Sequence, residues 1–494
     1  MPTAITTTLA ALVLALPLMM GNRTPDTLTL SGLVLVLGAL AVTAFALLPQ
    51  RAGHGAGQGR ALAGPPVGWW MFGGVLTGWV LLQVLPLEFL ARAFGPYPDV
   101  LWQSDAPPGQ WSPNPAYTLR AWATFVALAS LAWWFSRLDH RRRNLLWLII
   151  AAGAVAQALY GLAAHAAGSD TVLGIWPRNN PDYVHGTFSN RNLFAAYLAL
   201  TWPLVIAIWW KPDVPGLKRL PFELRVAGSV IAGAIIGAAL LASASRLGSA
   251  AGLAGLLVGL LLWTRYRKKL ARVAVWPMYA TAFAALLAAT WYGLTPLAER
   301  LAVTSVEEGR FEVYSRMIGE LPASWWIWGV GLGGFEAVFK QVQPADMRGW
   351  YDYAHNDLLQ WLLEMGLIGA GLLIAAAVAL VRNARLTRET LPLYSGLAAL
   401  CLVGLGDFSW HIPSTQIVLA LYLGTLLTPA HKRPRKAAST PSSYRGASPP
   451  PLSSRGAPSI SPSFRGAEGE PGTSTRNRPS NPGTVSLPSS RGAE

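Results

Sequence analysis

The chain of 494 residues contains one cysteine, Cys401. A single thiol excludes an intrachain disulfide and any metal site built on thiolates. Lying inside an apolar run, Cys401 reads as a small buried apolar residue. Charge is also scarce: 13% of residues are Asp, Glu, Lys or Arg, against about 25% in soluble domains. No Asp-x-Asp pair occurs and the His residues on the outward segments are scattered, so neither a metal nor another cofactor is expected. The Gly-x-Ser-x-Gly nucleophile motif is missing. The Gly-rich stretch Trp328–Phe335 lacks the Lys of a P-loop. No Lys or Arg precedes the first apolar run, so Met1–Met20 reads as a span and not as a signal peptide.

What the chain has is hydrophobic length. Apolar residues make up 52% of it and the mean hydropathy is +0.35, as expected where each crossing needs roughly 20 apolar residues and charge is costly in hydrocarbon. Apolar runs fall at Ala4–Met20, Leu28–Leu48, Val67–Leu87, Thr118–Phe135, Leu145–Ala164, Asn192–Trp210, Val226–Ala244, Ala250–Trp263, Val273–Leu294, Leu358–Val381, Leu391–Leu405 and Ile412–Leu427. The 22 Trp fit a membrane–water interface. These features predict an all-α polytopic membrane protein with about twelve transmembrane helices.

The formal charge of +15 does not point to nucleic acid, because Lys and Arg form no single patch. They fall in short clusters between spans: Gln50–Arg60, Arg137–Arg143, Lys211–Arg225, Arg265–Arg272, Arg382–Arg388 and His431–Lys436. With a cytoplasmic N-terminus and twelve spans, all six clusters land on the cytoplasmic side, as the positive-inside rule requires. The outward segments are then Gly21–Thr27, Glu88–Ala116, His165–Arg191, Ser245–Ser249, Thr295–Asn356 and Gly406–His411. The longest, about 295–356, reads as a large periplasmic loop. Its Trp325, Trp326, Trp328 and Trp350 suggest that it lies on or dips into the membrane surface. The expected domains are a membrane domain over 1–429 and a tail over 430–494. The tail is rich in Pro, Ser, Gly and Arg and repeats Arg-Gly-Ala, as at Arg445–Ala447 and Arg491–Ala493. Such composition predicts disorder. It reads either as a low-complexity extension or as a basic arm for anionic lipid or a partner.

Three outward features carry the residue types of a chemical site. Gly186–Asn192 sets Asn190, Arg191 and Asn192 at the mouth of a helix, either as caps or as a polar collar for a substrate head group. Ser243–Ser249 holds Arg246 at the outer boundary among small residues. That Arg can snorkel, or it can grip phosphate with its planar fork while the small neighbours leave room for a ligand. The long loop carries Arg310 and Tyr314, then a Gly-rich stretch suited to a tight turn, then His355-Asn356-Asp357. Glu364 follows just inside the next span, as a functional carboxylate or a helix-to-helix hydrogen bond. A lone interfacial His is usually structural, but a base beside two arginines on one face is also plausible chemistry.

In this order the features resemble the O-antigen ligase and O-antigen polymerase superfamily of bacterial membrane glycosyltransferases. The resemblance runs from Phe188 to Gly369. It is carried by Gly186–Asn192, Ser245-Arg246, Gly309-Arg310 with Tyr314, Gly329-Val330-Gly331-Leu332-Gly333, Ala354-His355-Asn356-Asp357 and Glu364–Gly369. It implies a glycan donor on undecaprenyl diphosphate, an acceptor that is lipid A–core or a growing glycan, an inner-membrane location and a site facing the periplasm. It also implies metal-independent, inverting transfer. The family's two arginines fall on Arg246 and Arg310, with Arg316 as a rival for the second, and its histidine on His355. Arg246 and Arg310 would hold the diphosphate, and His355 would take the acceptor proton. Asn356 or Asp357 would orient the imidazole, and Asn190, Arg191 and Asn192 would line the substrate site. Tyr314 departs from the pattern, which has Trp there, and the tail lies outside it. Repeat-unit polymerisation is the alternative within the class. A transporter or flippase would call for midplane charges and an internal repeat of spans, and a scaffold would tolerate loss of Arg246, Arg310 and His355.

Overall fold

The computed structural model describes residues 2–19, 25–47, 67–94, 110–178, 181–211, 214, 216–270, 305–347 and 351–427. The apolar run Val273–Leu294, the basic clusters Gln50–Arg60 and His431–Lys436, Trp350 and the 430–494 tail lie outside the described residues.

Every other apolar run read from the sequence is a helix. In chain order these are α1 (Pro2–Leu18), α2 (Pro25–Leu47), α3 (Val67–Val84), the short α4 (Glu88–Phe94), α5 (Pro115–Arg137) and α6 (His140–Ala166). A two-stranded antiparallel hairpin follows, β1 (Thr171–Val172) with β2 (Trp176–Pro177), in which Val172 pairs with Trp176. Next come α7 (Arg191–Ala207), α8 (Phe222–Ala242) and α9 (Arg246–Leu270). The long connection supplies α10 (Ser305–Glu320), α11 (Ala323–Trp328) and α12 (Phe335–Phe339), and the chain continues through α13 (Asp357–Arg382), α14 (Leu391–Gly404) and α15 (Pro413–Leu427). Polar caps set several starts: Asn114 Oδ1 accepts from Tyr117 N, Asp139 Oδ1 from Arg142 N and Asn356 Oδ1 from Leu359 N, each satisfying an amide that has no partner within the helix.

Seven helices among the described residues are long and apolar enough to cross a membrane. Helices α1, α14 and α15 are apolar but shorter. At about 1.5 Å per residue they fall short of a hydrocarbon layer roughly 30 Å thick. The chain is thus an all-α, multi-pass membrane protein.

Helix α7 is the axis of the bundle. Every residue from Leu193 to Ile206 is buried, and helices α6, α8, α9 and α14 pack around it. Small residues permit the close approach expected of membrane helices. A Cβ on Gly248 of α9 would sit 2.5 Å from Ala195 Cβ, and one on Gly396 of α14 would sit 2.2 Å from the Leu200 carbonyl oxygen. Ser395 Oγ donates to the Gly255 carbonyl, locking α14 to α9. On α14 the inward positions are Ser395, Gly396, Ala399, Leu400 and Val403. Cys401 falls on the opposite face and is exposed, so it is not the buried core residue expected. In a membrane helix an apolar run is apolar on its outer face too, and sequence alone does not divide the two.

Together with Leu363 of α13, the long connection has its own core of Val313, Met317, Leu321, Trp325, Val330, Phe335, Val338, Phe339 and Ala354. Trp325 is buried there and Trp326 packs against it, so Trp325 serves a folded cap and not a membrane surface.

Candidate active site

Helix α10 carries Arg310 and Tyr314 one turn apart; Tyr314 bonds the end of the loop and Arg310 the turn between α14 and α15. Tyr314 Oη donates to the His355 carbonyl at 2.6 Å. Burial first, with Asp407 and Asp357 adding to it, pushes the Tyr314 phenol up to about 12, so it remains a donor. Where the resemblance leads one to expect Trp, this Tyr supplies a hydrogen bond to the backbone of the candidate base. That bond helps hold an unusual conformation: His355 has φ +55°, a left-handed value that costs a non-glycine residue about 1–3 kcal/mol and is often found at functional sites. Ala244, two residues before Arg246, is likewise left-handed at φ +49°.

The side chains of Arg310 and His355 converge on a residue that the sequence reading did not single out, Asp407, in the turn between α14 and α15. His355 Nδ1 lies 3.4 Å from Asp407 Oδ1, and Arg310 Nη2 lies 3.6 Å from Asp407 Oδ2. The Arg310 contact is an ion pair, and both distances are longer than well-formed hydrogen bonds. Arg310 Nη1 also donates to the Gly406 carbonyl at 2.6 Å. Asp407 is nearly inaccessible at 3%, whereas Arg310 and His355 keep 23% and 27% of their side chains exposed. The carboxylate therefore sits behind the two more exposed side chains. Burial alone would raise Asp407, but the His355 contact and the Arg310 guanidinium outweigh it and hold its carboxyl below the ordinary range. Phe408 packs edge-on to the His355 ring, with centroids 4.9 Å apart at 80°.

The neighbours of His355 in the sequence turn away from it. Asn356 caps α13 and donates from Nδ2 to the Leu405 carbonyl at 2.9 Å. Asp357 is buried and accepts from His411 Nδ1 at 2.8 Å and Trp410 N at 3.0 Å. Neither side chain bonds the His355 imidazole, and the carboxylate beside it stands on a separate turn. A hint was available: Asp407 is the only acidic residue between two apolar runs.

The remaining candidates divide. Arg246 opens α9, half-buried, beside Leu247, which reaches the turn at Gly406. The small residues around Arg246 tighten the α8–α9 hairpin: Ser243, Ser245 and Ser249 are buried, and Ser245 Oγ caps α9 by accepting from Gly248 N at 3.3 Å. Asn190 is the α7 cap and accepts from Asn192 N at 2.7 Å. Arg191 lies over the Tyr183 ring at 4.1 Å, and its buried Nη1 has no hydrogen-bond partner. Arg316 lies on the exposed face of α10 between Glu312 and Glu320, paired with both, and does not join Arg310 at Asp407.

The Gly-rich stretch braces the site. Gly329, Gly331 and Gly333 all have positive φ. Val330 N and Gly331 N donate, each at 2.9 Å, to the carbonyls of Leu363 and Glu364 on α13. Helix α13 breaks at Gly366, φ +61°, where a Cβ would lie 2.3 Å from the Ile327 carbonyl oxygen. The buried Glu364 carboxylate accepts from Gln360 Nε2 at 2.9 Å and from Phe335 N at 3.4 Å. It is a strut between loop and helix. Among the described residues no group of three or more His, Cys, Asp or Glu could hold a metal ion.

Residues 231–374, from within α8 to within α13, match the O-antigen ligase family model. The match supports the O-antigen ligase and polymerase superfamily and with it a membrane enzyme acting on polysaccharide-type substrates carried on lipid. No curated protein matches the chain.

Proposed function

We propose, from this O-antigen ligase match over residues 231–374, that the chain transfers a glycan from undecaprenyl diphosphate to a sugar of lipid A–core at the periplasmic face of the inner membrane. The observation that carries the reading is the convergence of Arg310 and His355 on the buried Asp407.

In this mechanism Arg246 and Arg310 hold the donor diphosphate. Guanidinium forks match phosphate oxygens, and fixed positive charge offsets the negative charge that grows on the leaving group. His355 accepts the acceptor hydroxyl proton, and Asp407 holds the imidazole and stabilises the imidazolium that forms. The new glycosidic bond forms as the sugar–phosphate bond breaks, on the opposite face of the anomeric carbon. The anomeric centre is inverted and undecaprenyl diphosphate leaves. No metal is needed, because the diphosphate is already a good leaving group and two arginines bear its charge. Arg191, with a buried donor left open, lines the donor pocket beside Asn190 and Asn192. Asn356 and Asp357 hold the wall of the site. Twelve spans with the 295–356 segment outside would put all of these groups on the periplasmic side.

The test is a gene deletion complemented with wild type and with His355→Ala, with membrane insertion checked for each. The expected result is that full-length glycan disappears from lipid A–core and accumulates on its lipid carrier, and that His355→Ala does not restore it. A ladder collapsed to one repeat would assign repeat-unit polymerisation instead. Full rescue by His355→Ala would remove the catalytic assignment and favour a transport or scaffold role.

A further inference from the structure

Facing the His355–Asp407 contact is a second pair of opposite sense. The segment that contributes His355 also contributes Asp357, and the turn that contributes Asp407 also contributes His411. Two cross-links of reversed polarity thus join the same two pieces of chain: His355 to Asp407 at 3.4 Å and Asp357 to His411 at 2.8 Å. The second is the tighter and the more elaborated. Asp357 Oδ2 also accepts from Trp410 N at 3.0 Å and lies 3.5 Å from Ser409 Oγ. Three consecutive residues of the turn therefore close on one buried carboxylate. Asn356 Nδ2 to the Leu405 carbonyl pins the other end of the turn at 2.9 Å.

A packed aromatic row connects the two pairs. The His411 ring lies 5.1 Å from Tyr353, Tyr353 stacks on Phe408 at 4.6 Å and 3°, and Phe408 abuts His355. A displacement of His411 would thus reach both Asp407, through the backbone of the turn, and His355, through the rings.

We infer that His411 is a positioning residue for the transfer reaction: held by Asp357, it fixes the Gly406–His411 turn so that Asp407 meets His355 in the productive geometry. The inference rests on the role proposed for His355. The groups that act on His411 are Asp357 and Glu364 of α13 and Asp352 in the loop before it, with the Tyr353 ring alongside. Burial would lower the His411 imidazole, but Asp357 above all, then Glu364 and Asp352, reverse this and hold it above its ordinary value.

The test uses the full chain in nanodiscs, with the lipid-linked glycan extracted from the deletion strain as donor and lipid A–core as acceptor. His355→Ala, His411→Phe and His411→Gln are compared. His411→Phe keeps an aromatic ring and loses the bond to Asp357, whereas His411→Gln keeps a donor. The expected result is a roughly 10- to 100-fold fall in kcat for His411→Phe with KM little changed, as for a small misplacement of a reacting group. A displaced pH–rate profile and partial recovery in His411→Gln are also expected. If His355→Ala is inactive while His411→Phe keeps the wild-type kcat and pH profile, the inference is overturned and the proposed function stands. If activity falls only with the folded fraction and the profile does not move, His411 is structural and the inference is again overturned. If His355→Ala is active, the proposed function fails and the inference with it.

Discussion

Asp407 is where a single atom separates the account from its alternatives. Asp407→Asn keeps the shape of the side chain and removes the charge that would stabilise an imidazolium on His355. Transfer should fall roughly 10- to 100-fold in kcat, less than the roughly 100- to 10,000-fold expected on losing the base itself in His355→Ala. Steady-state kinetics of the two variants side by side would check this. Arg316→Ala should leave transfer within about twofold of wild type, because its partners Glu312 and Glu320 are exposed surface groups and such pairs contribute little. A large loss in Arg316→Ala, with Arg310→Ala active, would exchange their roles. At this scale the sequence singles out the arginines and the histidine as candidates, since their spacing around a Gly-rich stretch can be read along the chain. It did not carry the partner of His355. Asn356 and Asp357 stood adjacent in sequence, but the helical start at Asp357 turns their side chains toward Leu405 and His411, and only the fold brings a residue 52 positions away beside the imidazole.

At the scale of elements, the break in α13 at Gly366 lets the Gly-rich stretch dock against the helix. Gly366→Ala would place a Cβ 2.3 Å from the Ile327 carbonyl oxygen at φ +61°. It should destabilise the protein by about 2–4 kcal/mol, combining backbone strain with overpacking. A lowered thermal midpoint, or loss of folded protein from the membrane, would show it. The turn from Gly406 to His411 should respond to pH on two sides. His411 is raised from 6.5, so its stabilisation is complete below that value and is lost as pH climbs through the raised one. Asp407 is lowered from 3.8, so its contribution is complete above that value and is lost as pH falls through the lowered one. The thermal midpoint should therefore decline above pH 6.5 in wild type and decline less in His411→Gln. Apolar runs made the helices legible, because hydrophobic length is a one-dimensional signal. The folded cap of α10–α12 was not legible in that way. Its core comes from several short segments, and its Trp325 reads alike as a core residue or an interfacial one.

For the whole molecule, one compact unit spans Met1–Ala430, and every group placed in the mechanism lies within it. Removing residues 431–494 should leave transfer by the purified protein within about twofold of wild type, whatever the Arg-Gly-Ala repeats do in the cell. Positive-inside counting and hydropathy agree on one outward face along the sequence. Arg310, His355 and Asp407 gather on one set of connections, and Arg246 opens α9 beside the same turn. The short lengths of α1, α14 and α15 are what the sequence blurred, because run boundaries taken from hydropathy do not distinguish a full crossing from a shorter helix packed within the bundle.

The central claim is metal-independent transfer that depends on His355. The most direct measurement is glycan transfer by the purified full chain from undecaprenyl diphosphate-linked donor to lipid A–core in the presence of EDTA, comparing wild type with His355→Ala. The account predicts undiminished transfer by wild type with release of undecaprenyl diphosphate, and loss of roughly 100-fold or more in the variant. Transfer that stops in EDTA, or that proceeds at the wild-type rate without His355, would contradict it.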